Sequence, residues 1–164
     1  MSVKVGIKKL HPDAIIPKYA TEGSAGFDLT AVEDCVINEG DIVLIPTGLS
    51  FEIPSGYELQ IRPRSGKSLK SHFRIANSPG TIDSDYRGEV MIIAEHNGPI
   101  EHELVMNQTT SMLDLGTYND GIFIAKGERI AQAVLAPITQ ADFVELKELT
   151  ETGRGEGGFG STGV

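Results

Sequence analysis

The chain has 164 residues, 40% of them hydrophobic, and a formal net charge of −9 at pH 7. This length fits one domain with a real core, and the hydrophobic share excludes a chain too polar to fold. The acidic balance argues against a broad nucleic-acid surface, which needs basic residues for counterion release, and no apolar run reaches membrane-spanning length.

Met1-Ser2-Val3-Lys4 carries no signal-peptide pattern, and the single cysteine, Cys35, cannot form an internal disulfide. Both features point to a reducing cytoplasm. Nineteen glycines and eight prolines favour many short strands and turns over helices.

Val3-Lys4-Val5-Gly6-Ile7 alternates as an edge strand does, and Leu10 through Pro17 reads as a turn-rich link. Gly23-Ser24-Ala25-Gly26-Phe27-Asp28-Leu29 then places an aspartate inside an emerging strand. If Phe27 and Leu29 face the core, the Asp28 carboxylate faces a neighbour or a site. Taken alone, it reads as a turn or cap residue rather than a ligand. Cys35, between Asp34 and Val36 in an apparent strand, reads as a packing residue.

Val36-Ile37 and Ile42–Pro46 flank the turn Asn38-Glu39-Gly40-Asp41, and Leu49–Ile53 and Tyr57–Ile61 alternate on either side of Pro54-Ser55-Gly56. The spacing predicts an all-β sandwich, barrel or jelly roll, with one short helix near Ser68–Ser71. Pro63-Arg64-Ser65-Gly66-Lys67-Ser68 interrupts the strands. Its Gly-Lys-Ser invites a P-loop reading, which fails because position 61 is Ile where that motif needs glycine. A glycine beside a serine hydroxyl can still offer backbone N–H groups to a phosphate, with Arg64 or Lys67 adding charge.

The stretch Gly80-Thr81-Ile82-Asp83-Ser84-Asp85-Tyr86-Arg87-Gly88 sets two carboxylates and a ring between glycines, and Val90–Ala94 follows as a buried-strand candidate. It reads as a β-hairpin tip that a ligand can approach closely. From Ile100 to Asp120 the pattern is lost, although Met106, Met112, Leu113, Leu115 and Tyr118 supply apolar contacts. His102 lies between two glutamates, but that spacing is not diagnostic of a metal site and fits a solvated charged strand.

Order resumes at Gly121-Ile122-Phe123-Ile124, turns at Gly127, and continues as a long buried strand through Pro137 that carries one amide, Gln132. Phe143-Val144-Glu145-Leu146 reads as a last strand. The tail Gly153–Val164 is too rich in glycine to hold a shape unaided. It nevertheless carries an arginine, a ring and two hydroxyls, groups that can grip a phosphate and stack on a base.

Five segments together resemble, in order, the five motifs of the trimeric dUTP pyrophosphatase (dUTPase) family. They are Ala25–Leu29, Pro63–Gly66, Gly80–Gly88, Gly127–Gln132 and Arg154–Gly163. The match spans the chain apart from about 99–121. The resemblance implies a jelly-roll subunit over 1–152 and a flexible arm over 153–164. It also implies a homotrimer in which the arm of one subunit closes a site between the others. The implied reaction converts dUTP and water to dUMP and pyrophosphate, with Mg²⁺ on the triphosphate, keeping uracil out of DNA and supplying dUMP for thymidylate synthesis.

The resemblance also implies roles for individual residues. Asp83 matches the catalytic aspartate that takes a proton from the attacking water, a role a carboxylate suits. Tyr86 matches the ring against the deoxyribose, and Asn77, with the backbone of an Asn77–Asp83 hairpin that includes Thr81 and Ile82, matches the uracil reader. Met91 matches a residue lining that pocket. Arg64, Ser65 and Gly66 match the phosphate contacts, Ser65 near the α–β bridge that breaks, and Gln132 matches an amide on the phosphate side. Asp28 matches an aspartate that acts on the metal through water. Arg154, Ser161 and Thr162 match the γ-phosphate grip, with Gly160 among them, and Phe159 the ring stacking on uracil. Asp85 and Arg87 match structural positions.

The departure from the family is roughly twenty extra residues between Ala94 and Phe123, a length at which a loop tends to be functional or disordered. Their placement resembles an extra segment of some bacteriophage members. It implies a phage-encoded chain, or a bacterial host's, with a regulatory protein as a further partner. The nearest rival, dCTP deaminase, carries a second serine and an arginine where this chain has Gly66 and Lys67, and it lacks the hairpin tyrosine and the Gly-rich arm. A regulator built on the same fold and a capsid jelly roll are further alternatives, but a capsid has no need of Asp83, Tyr86 and the arm together.

Overall fold

A computed structural model describes residues 2–98 and 121–158. Phe159, Gly160, Ser161, Thr162 and nearly all of the expected insert, including His102 and its apolar residues, lie outside the described residues. Among the described residues every strand pairing is antiparallel, as a jelly roll requires. No helix among the described residues is long and apolar enough to cross a membrane.

The largest sheet orders its strands β2 (Phe27–Thr30), β11 (Arg129–Pro137), β6 (Tyr57–Arg62) and β8 (Gly80–Ile82). A second joins β4 (Ile42–Pro46), β9 (Met91–His96) and β7 (Phe73–Ile75). Two-stranded pairs complete the wall, β1 (Gly6–Lys9) with β5 (Leu49–Glu52) and β3 (Cys35–Ile37) with β10 (Ile122–Ile124).

Period-two alternation drives this arrangement. In β9, Ile92, Ala94 and His96 turn inward while Met91 faces out. Leu29, Ile37, Ile45, Leu59, Ile92, Ile124 and Ile130 are all essentially inaccessible and form one core. Each contributes about 1.5–3 kcal/mol by burial, so Ile92→Ala would cost about 2–5 kcal/mol once the cavity is counted. Cys35 packs against this core from β3, and burial, helped by the nearby Glu33 charge, pushes its thiol up from the ordinary range.

Several expectations change. The first strand begins at Gly6 rather than Val3. Gly80–Gly88 is not a hairpin tip: β8 pairs with β6, while β9 pairs with β4 and β7, so residues 83–90 cross between sheets. The expected Asn77–Asp83 hairpin is likewise absent: a turn with a cis Ser78–Pro79 bond leads from β7 in one sheet into β8 in another. Phe143–Leu146 forms no strand, and Phe143 is 92% exposed. The helix, α1 (Ser65–Lys70), starts three residues earlier than expected and buries none of its residues.

Candidate active site

The end of β6 carries the chain through Pro63 into α1, and this corner gathers the residues expected on the phosphate side. Gln132 sits on β11 opposite both Asp28 of β2 and Arg62 of β6, and its Nε2 donates to the Pro63 carbonyl at 2.9 Å. Asp28 alternates out of the core as Leu29 turns in, and its carboxylate meets two guanidinium groups. Arg64 Nε donates to Oδ1 at 2.7 Å and Arg129 Nη1 to Oδ2 at 3.1 Å. Arg64 also donates from Nη1 to the Arg129 carbonyl at 3.2 Å.

An open cleft of about 470 Å³ lies here, lined by Arg64, Gly66, Lys67, Lys70, Glu128 and Arg129 among others. Ser65 and Gly66 are exposed at its edge. With Lys67 paired to Glu128, the lining keeps Arg64, Lys70 and Arg129, a positive balance that suits an anionic ligand. Sequence reasoning passed over Arg129. The available signal was its place three residues before Gln132 at the start of a strand, directly after the Gly127 turn. That turn needs glycine, since φ is +80° there.

The second cluster runs along and beyond β8. Thr81 is exposed and Ile82 packs on the core. Asp83 is exposed, and its carboxylate accepts no hydrogen bond among the described residues. Its backbone carbonyl accepts the Tyr86 N–H at 3.2 Å, closing a turn that brings the ring back. Tyr86 donates its hydroxyl to the Glu89 carbonyl at 3.0 Å and stays 45% exposed. Gly88 lies under the ring so closely that a Cβ there would overlap the Tyr86 hydroxyl.

Arg87 staples the turn through Nη1 to the Ser84 and Tyr86 carbonyls at 2.7 and 3.1 Å. Asn77 packs its amide against Gly80. The β7–β9 register, continued by the Ala76 N–H to the Ile93 carbonyl at 2.9 Å, runs from Ile75 toward Met91, which is 37% exposed.

The third group is the arm. Arg154 bonds within it, donating from Nε to the Gly157 carbonyl at 2.7 Å.

Asp28 has a guanidinium on each oxygen, and no cluster of three or more His, Cys, Asp or Glu residues suited to a metal occurs among the described residues. Among the described residues these groups make no cage of their own for a divalent ion.

A family model described as dUTPase matches residues 12–103 and 112–163. The chain belongs to the dUTPase family. It is an enzyme of the dUTP diphosphatase class. The deoxyuridine 5′-triphosphate nucleotidohydrolase of Nautilia profundicola is 49% identical over 161 residues, 98% of this chain and 99% of that protein. The Helicobacter hepaticus protein of the same description is 49% identical over 160 residues, covering 98% of this chain and 89% of its own. The dUTPase of Staphylococcus bacteriophage 80alpha, solved with dUPNHPP, superposes with a TM-score of 0.84 at 28% identity, covering 99% of this chain and 100% of its own.

The dUTPase family model leaves only 104–111 unmatched within the expected insert.

Proposed function

We propose that this chain hydrolyses dUTP at the α-phosphorus, releasing dUMP and pyrophosphate, in a site assembled from copies of itself. The observation that carries this reading is the position of the two clusters on one sheet. Asp28 and the Arg64 head occupy the β2 edge, level with Arg62, while Asp83 follows Ile82 at the β8 edge, opposite Leu59 and beyond. Three strand spacings across and about four residues along separate these corners by on the order of 20 Å. A general base must come within hydrogen-bond reach of the water that attacks a bound phosphate. One chain therefore supplies two halves of different sites, and a closed ring of copies, the expected homotrimer, joins them.

Exposed apolar Phe143, Val144, Leu146 and Leu149, and an apolar hollow of about 270 Å³ beside Val3, Val5 and Tyr19, support packing between copies.

In the assembled site Asp83 accepts the proton as water forms its bond to phosphorus and the bridging oxygen leaves with pyrophosphate. Arg64, Ser65, Gly66 and Gln132 hold the phosphates; Tyr86 excludes a 2′-hydroxyl, and Asn77, Thr81, Ile82 and Met91 surround the base. Arg154, Ser161 and Thr162, with Gly160, close over the γ-phosphate, and Phe159 stacks on uracil. Bound Mg²⁺ offsets charge on the phosphate oxygens.

A regulatory partner contact through 99–121 is proposed beside catalysis, supported by the family model's gap at 104–111. The test is pyrophosphate release from each dNTP with and without Mg²⁺. Release from dUTP alone, dependent on the metal, is expected; ammonia from dCTP would give the deaminase reading instead.

A further inference from the structure

The Gly66-Lys67-Ser68 step, which the sequence offers as a cationic phosphate contact, is built for another purpose. Lys67 lies in the first turn of α1 with its side chain only 12% exposed, and its Nζ donates to Glu128 Oε1. The same ammonium stands 5.0 Å from the centre of the Phe73 ring. Its charge is thus spent on a carboxylate and an aromatic face.

Glu128 is itself fixed. Oε2 accepts the Ala125 N–H at 3.1 Å, and the Glu128 carbonyl accepts the Ala31 N–H at 3.0 Å, tying the β10–β11 turn to the end of β2. On the helix side, the Lys67 N–H donates to the Arg64 carbonyl at 3.0 Å. The Lys67 carbonyl accepts the Ser71 N–H at 3.1 Å and its hydroxyl at 2.9 Å. Arg64 forms a second tether through Asp28 and the Arg129 carbonyl. Ser65 and Gly66, both exposed, hang between the two tethers.

We propose that Lys67 and Glu128 are a positioning pair that holds the Ser65-Gly66 backbone where a triphosphate needs it, and that Lys67 does not itself touch phosphate. The proposal rests on, and deepens, the dUTP reading. Lys67 is the more buried partner, at 12% exposure against 34% for Glu128, so removing either one leaves a partly buried charge and the first turn of α1 moves to resolvate it. A displacement of about 1 Å is enough to degrade phosphate contacts.

The experiment measures KM and kcat for dUTP, with thermal midpoints, in Lys67→Met, Glu128→Gln, Lys67→Arg and the reversed pair Lys67→Glu/Glu128→Lys. Both neutral variants should raise KM by a similar factor, about tenfold, with kcat within about twofold. Lys67→Arg and the reversed pair should recover most of the loss, and they carry the test if a neutral variant fails to fold. A raised KM in Lys67→Met with none in Glu128→Gln would make Lys67 a direct phosphate contact and overturn the proposal. Lowered midpoints with KM unchanged in both would make the pair merely structural and overturn it equally. A wild type inactive on dUTP sinks the function reading; an active wild type with unshifted variants sinks only the pair.

Discussion

Arg64 reaches Asp28 through its Nε alone, at 2.7 Å, and its Nη2 has no partner among the described residues. One guanidinium can therefore hold the motif-one carboxylate and still present a terminal donor to the cleft. Lysine keeps the charge but has no fork. Arg64→Lys should raise KM for dUTP by about tenfold. Steady-state kinetics check it, and a KM within twofold of wild type would show that charge alone suffices.

Asp83 carries an exposed carboxylate that accepts no hydrogen bond among the described residues. Asp83→Asn keeps the shape and loses the acceptor for a proton. Turnover should fall by about 10²–10⁴-fold while dUTP still binds. Binding by calorimetry beside kcat measures this, and more than a tenth of wild-type kcat remaining would remove Asp83 from the role.

Gly88 leaves room for the Tyr86 ring, whose hydroxyl reaches the Glu89 carbonyl at 3.0 Å. Gly88→Ala should push the ring off that bond and weaken discrimination between dUTP and UTP more than it weakens dUTP turnover. The ratio of kcat/KM for the two nucleotides is the readout. An unchanged ratio with a displaced ring would show that Tyr86 does not exclude the 2′-hydroxyl.

Deleting 154–164 should lower activity sharply and leave the assembly intact, because Arg154 bonds only within the arm among the described residues. Sizing and assay together decide it: loss of the oligomer makes the arm structural, and full activity makes it a mere tail.

The roots of the insert meet at one turn. The His96 carbonyl accepts the Gly40 N–H at 2.9 Å, and a Cβ at Gly121 would come 3.3 Å from Asn38 Oδ1. Replacing 100–120 by a short glycine-containing turn should keep dUTP hydrolysis within several-fold of wild type. A collapse of kcat with the oligomer preserved would show that the segment shapes the site.

Local pattern was legible where burial is one-sided. Leu59 and Ile61 of β6, and Ile92 and Ala94 of β9, alternate inward as their spacing says. Long-range pairing was not. β9 and β10 follow each other in the sequence yet lie in two sheets, β9 with β4 and β7, and β10 with β3. Phe143–Leu146 has strand composition but no partner strand among the described residues, and composition cannot provide one. Asp28 was legible as outward-facing, whereas its two arginines come from positions 36 and 101 residues away. The Lys67–Glu128 pair spans 61 residues and leaves no trace in either local motif.

The diagonal placement of Arg64 and Asp83 on one sheet has a genetic corollary. In the assembly proposed above, a chain spoiled at Asp83 and a chain spoiled at Arg64 are each inert alone, yet a ring containing both regains an undamaged junction. Mixing the two purified variants under subunit exchange should restore part of the turnover, as intragenic complementation would in a cell. Conversely, a chain spoiled at both corners would poison the wild-type copies it joins, because it faces a good neighbour on each side and completes neither site.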